Sequence, residues 1–300
     1  MNHLRRFSTT LLLLFFTYVG LIISFSALFF TAIFGYSYGL DLIVAISCIT
    51  FTALIFIFYF VYTHTKEYIR QNAIRTALLM DKEIQAPTPD TKAEKLLSLA
   101  LSVQHLPPKL FYYGFLNKIC GFFLWHPFHM LIELLLIRAT EHLITQIKLL
   151  PTNLHYHAAL ANLYVTLSHH YVRPNSPSMR IFFPISTQRR FHEKAKTSSK
   201  RAVEELSILR SFAPNELWVH DQLAISYKEL SLPEKEIEEY ETIISMNPED
   251  YNALLRLGIL YFSQGENAKG LEVYEKINDV QPLLAETLIS HYGAYNPLCP

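Results

Sequence analysis

Hydrophobic and polar positions divide the chain unequally. Residues 7–40 form 34 consecutive uncharged positions and residues 42–63 a further 22, with Asp41 alone between them. A bilayer core takes about 20 apolar residues per helix, so the pattern predicts two spans, Phe7–Phe34 and Leu42–Thr63. The turn between them, Gly35 to Asp41, combines two glycines with tyrosines suited to the interface. Arg5 and Arg6 precede the first run, and Lys66, Arg70 and Arg75 follow the second, while the turn carries no basic residue. Under the positive-inside rule both termini lie on the cytoplasmic side, which gives an integral, multi-pass protein of the bacterial inner-membrane kind. A cleaved signal peptide is the competing reading, but the run is far longer than the roughly 7–15 apolar residues such a signal uses.

From residue 66 onward charges return and apolar positions recur at helical spacing. Thr91 and Glu94 form a capping box before Leu96, Leu97, Leu99, Ala100 and Val103, and Pro107-Pro108 closes that helix. Segment 110–137 is rich in aromatic residues. It also holds Lys118, His126, Pro127, His129 and Glu133, which favour a buried helix pair over a third span, with docking at the bilayer surface as the alternative.

The second half repeats. Pro214, Pro248 and Pro282 are spaced by 34 and 34 residues. Aligning on them brings Leu223, Ala224 and Tyr227 under Leu257, Gly258 and Tyr261, and Tyr240 and Ile243 under Tyr274 and Ile277. Small residues at Ala224 and Gly258 allow close helix crossing, and Gly265 supplies a turn. Upstream, Leu160, Ala161 and Tyr164 follow Pro151 in the same register, and Ala202, Leu206 and Leu209 are in phase with Pro214. Pro174, Pro177 and Pro184 break the stretch between them, so residues 173–190 read as an inserted loop.

This pattern resembles the tetratricopeptide repeat (TPR) family. Leu257, Gly258, Tyr261, Gly270, Tyr274, Ile277 and Pro282 stand at its typical positions, with Leu254 in place of Trp and Gly270 in place of Ala. The fold class is therefore all-α: a two-helix transmembrane hairpin over 1–65, a helical connector over 66–127 and a TPR-like α-solenoid over 128–300. The resemblance implies a concave groove that binds a polypeptide, and no catalysis. In the family's groove positions stand Trp218, Asp221, Ile225, Lys228 and Glu229 of one unit and Asn252, Leu255, Ile259, Phe262 and Ser263 of the next. A terminal helix over Leu283–Tyr292 is the alternative cover for that stripe. The subclass that clamps C-terminal carboxylates is disfavoured, since its two lysine places hold Ala158 and Asn252.

Composition narrows the function classes. Net charge is zero, which excludes nucleic-acid binding by bulk positive charge, and three cysteines make no disulfide framework. No phosphate loop, dinucleotide fingerprint or nucleophile elbow occurs, so neither an enzyme nor a cofactor is expected. His126, His129 and Glu133 fall short of a structural zinc site, although a membrane metalloenzyme using them is a distant alternative. The basic run 189–201, with Arg189 and Arg190 and the nearby Arg180, offers contact with anionic lipid head groups; the simpler reading is a solvated helix face. The sequence is thus read as a membrane-tethered scaffold or adaptor with a protein or peptide partner. The alternative is an inclusion-membrane-type secreted effector, on the strength of the paired apolar runs.

Overall fold

The computed structural model describes residues 67–84, 89–104, 114–172 and 185–293, with five single positions between 17 and 30. Apart from those five, both expected spans lie outside the described residues. Among the described residues every regular element is an α-helix, and no helix is both long and apolar enough to cross a membrane. That finding corrects the integral-membrane, two-span localisation. In the longest helix, charge interrupts the apolar run from Glu133 onward, at Arg138, Glu141 and Lys148.

The chain divides into two compact units, Met1–Ala139 and Thr140–Pro300. In the first, α1 covers 67–83, α2 is Pro89–Gln104 and α3 begins at Gly114. Apolar side chains at helical spacing turn inward: Ala73, Ala77 and Met80 of α1, Ala93, Leu96, Ala100 and Val103 of α2, and Leu131, Leu135 and Leu136 of α3. A Lys92–Asp81 ion pair of 3.0 Å ties α1 to α2. α2 starts two residues before the expected capping box, because Pro89 has the backbone angle of a first helical turn and needs no N–H there.

α3 runs unbroken from Gly114 to Leu149 with Pro127 inside it, where the sequence predicts a boundary and a helix pair. An interior proline costs about 3 kcal/mol. Long helical stretches on both sides supply enough hydrogen bonds to carry it.

The second unit is a row of helical hairpins: α4 (Leu154–Val172) with α5 (Ile185–Phe212), α6 (Leu217–Glu229) with α7 (Pro233–Met246), and α8 (Tyr251–Ser263) with α9 (Asn267–Asn278). α10 (Pro282–Ile289) follows. Each hairpin packs on the next through α5 against α6 and α7 against α8, and α10 lies against both α8 and α9. The residues matched by the 34-residue register form the seams, with Leu160/Ala161, Leu223/Ala224 and Leu257/Gly258 all buried.

A further regularity marks the three hairpins as one repeat. Arg201 lies over the Tyr164 ring at 5.8 Å, Lys235 over Tyr227 at 5.6 Å and Lys269 over Tyr261 at 5.2 Å. The cation comes from the second helix and the ring from the first in every case, a contact worth about 0.5–1 kcal/mol at exposed sites. The first hairpin is longer than the others, and its overhang is closed by a buried Ser168–Ser199 hydroxyl pair at 2.7 Å and by Lys194 over Tyr171 at 5.3 Å. Because α5 starts at Ile185, residues 185–190 of the expected insertion are helical, and the rest of it lies outside the described residues.

Candidate partner-binding face

α6 and α8 are the first helices of adjacent hairpins, and both pack against α7. Asp250 caps α8, its carboxylate accepting the Asn252 and Ala253 N–H groups at 3.1 and 3.0 Å. Spacing of three and four residues puts Trp218, Asp221 and Ile225 on one face of α6, and Asn252, Leu255 and Ile259 on one face of α8. Trp218 is 41 % exposed and Asn252 is exposed, while Asp221, Ile225, Leu255 and Ile259 are half-buried.

Phe262 departs from the expected stripe. It is fully buried, and its ring fills the slot left by the missing side chain of Gly270, where a Cβ would overlap it. The Tyr292 ring meets it edge-on, with centroids 5.5 Å apart. Phe262 is therefore a core residue and not a groove residue. The terminal segment covers part of α8, since Leu288 sits against the backbone of Gly258 and near Val273.

Acidic groups crowd this region. Burial, together with the Asp250 charge, holds the Asp221 carboxyl above its ordinary value even though the Gln222 amide donates to it at 3.1 Å. Burial pushes Glu236 up to about 7, with Glu229 adding to the effect and Lys228 and Arg256 opposing it. Tyr240 is pushed up to about 12 by burial and by Glu236 and Asp221. A cationic group placed here would relieve that crowding.

Two polar seams close the first and second hairpins, and sequence reasoning missed both. On α4, His157 Nδ1 lies 2.6 Å from Glu205 Oε2 of α5, and Nε2 lies 2.9 Å from the Pro151 carbonyl oxygen. On α6, His220 Nδ1 lies 2.6 Å from Glu239 Oε2 of α7, and Nε2 lies 2.8 Å from the Pro214 carbonyl oxygen. Each histidine stands six residues after its proline. In the third hairpin the same two places hold Leu254 and Val273, both buried. The second seam also engages Arg210, which donates to the other Glu239 oxygen at 2.8 Å.

Arg189 and Arg190 are exposed on the first turns of α5, and Arg180 lies outside the described residues. His129 is buried and Glu133 half-buried on α3. Among the described residues no group of three or more His, Cys, Asp or Glu side chains is placed to hold a metal ion.

No family model and no curated protein matches the chain. Solved structures similar to it include YrrB, a TPR protein with an unusual peptide-binding site, at 16 % identity and a TM-score of 0.30, covering 54 % of this chain and 89 % of that one. Another is MamA MSR-1 C2, at 15 % identity and a TM-score of 0.34, with 74 % and 98 % covered. A third is TTC0263, a thermophilic TPR protein in Thermus thermophilus, at 16 % identity and a TM-score of 0.30, with 66 % and 98 % covered. Similarity at this level carries no weight here, and the repeat assignment rests on the seams and cation–ring contacts that recur within the chain itself.

Proposed function

We propose that the chain is an interaction module that captures a polypeptide along the face built by α6 and α8. The observation that carries this reading is Trp218, a large indole left 41 % exposed on a helix whose neighbouring Ile225 is half-buried. Tryptophan at such a position is the side chain most often found as a binding anchor, because it offers much apolar area for little conformational entropy. The half-buried Leu255 and Ile259 extend the apolar strip, and Asp221 beside Asp250 supplies negative charge at one end. A partner segment with apolar side chains at helical or alternating spacing and one cationic residue suits that surface. No catalytic role is part of the proposal.

The experiment is site-specific photo-crosslinking in cells, with the reactive side chain at Ile259 and a control at exposed Leu271 on α9. A discrete protein adduct from position 259, absent from 271 and lost on Trp218→Ala, is the expected result. Equal labelling from both positions, or labelling indifferent to Trp218, would sink the proposal.

A further inference from the structure

The two histidine–glutamate seams have a proton count that their geometry dictates. A carbonyl oxygen can only accept, so the ring nitrogen facing Pro151 or Pro214 must carry hydrogen. The other ring nitrogen lies 2.6 Å from a carboxylate oxygen, a separation that needs a hydrogen between the two atoms. Each seam therefore holds one proton more than a neutral imidazole beside an ionised carboxylate. Remove it, and two lone pairs face each other inside a helix–helix contact.

We propose that the first hairpin is fastened by its proton, so that rising pH unlatches α4 from α5 while the third hairpin, closed by Leu254 and Val273, stays shut. The chain supplies its own control, because the same two repeat positions are polar twice and apolar once.

The surroundings of the two seams differ. The charge acting on His157 is that of Glu205 from α5. Burial works against a charged His157 ring, but the hydrogen bonds it donates to Glu205 and the Pro151 carbonyl and the Glu205 charge outweigh it and raise its pKa. A raised folded value means that the stabilisation is complete below the ordinary histidine value and is lost as pH climbs through the folded one. Around His220 stand Glu239 from α7 and Arg210 from α5, which donates to the second Glu239 oxygen, so that this seam has a cation the first one lacks among its described contacts. One turn before Glu239, Glu236 ionises near neutral pH within reach of Lys228, Arg256 and Glu229, and its burial gives that hairpin a loss of its own as pH rises from the ordinary carboxylate range through about 7. The first hairpin is thus the reporter of the latch.

Hydrogen exchange on the full chain between pH 6 and 9, corrected for the intrinsic exchange rate, tests the idea. Protection of α4 and α5 should fall by a factor approaching ten per pH unit between the ordinary and the raised histidine values, the slope of one released proton. Protection of α8 and α9 should not follow it. Replacing His157→Leu together with Glu205→Val, the pair used by the third hairpin, should abolish the pH dependence of α4 and α5. Protection of α4 that is flat with pH in the natural chain, or an unchanged fall in the double variant, overturns the proposal. Should the double variant fail to fold, nitrogen NMR of His157 in the natural chain decides. A ring doubly protonated at pH 7 that loses one proton by pH 9 in step with the exchange data supports it, and a ring in one state throughout refutes it.

Discussion

At Gly270 a single missing methyl group fixes how the last hairpin closes. The ring of Phe262 occupies the space, so the glycine answers to its neighbour's bulk and not to a turn. Gly258 is crowded differently: an added Cβ would meet the Leu288 methyls at 2.8 Å and Val273 Cγ1 at 3.2 Å. Those methyls end a flexible side chain on the terminal helix and can give way, whereas a buried ring cannot. Alanine is the better helix former by about 1 kcal/mol, yet Gly270→Ala should destabilise the chain by about 1–3 kcal/mol, the usual cost of overpacking. Gly258→Ala should cost clearly less, and Phe262→Leu should rescue the Gly270→Ala variant. Denaturant unfolding of the four chains measures all of this; equal losses at the two glycines would refute the account. The sequence shows Gly270 as a departure from the repeat pattern, but nothing in its spacing reveals that Phe262 would turn inward to compensate. That is why a residue assigned to a binding stripe proves to be core.

In the second and third hairpins, the link between helices is set by one left-handed residue. Gly265 takes φ of 81° between α8 and α9, and Ser231, 34 positions earlier, takes φ of 58° between α6 and α7. Serine carries a Cβ that this region of backbone space disfavours. Ser231→Gly should therefore stabilise the second hairpin by about 0.5–1 kcal/mol, seen as a higher denaturation midpoint; a lower midpoint would mean that the serine is held there by a compensating contact. The second-half helices were legible at this scale because proline, glycine and the small crossing residues recur at a fixed interval. The polar seams were not. His157 and His220 share a repeat position, and so do Glu205 and Glu239, but the insertion separates the first pair by 48 residues and the second by only 19. Local spacing cannot show that two such pairs are the same contact. The unbroken α3 escaped for a related reason, since a proline signals a boundary unless long helical flanks carry it.

Across the second unit, stability is expected to be local, because each hairpin touches only its neighbours. Leu288 of α10 is fully buried against the last hairpin. Leu288→Ala should cost about 2–4 kcal/mol, and exchange protection should drop in α8, α9 and α10 while α4 and α5 keep theirs. A uniform loss along the whole unit would show instead that the hairpins unfold as one.

The replacement of histidine and glutamate by leucine and valine at equivalent places also sets how the array answers to temperature. Apolar burial weakens on cooling, because its driving force near room temperature is entropic. A seam closed by Leu254 and Val273 leans on that force, whereas seams closed by charge-assisted hydrogen bonds lean on it less. Cold therefore loosens the carboxy-terminal end of the array and alkali the amino-terminal end, so that two unrelated stresses fray the same row of helices from opposite sides.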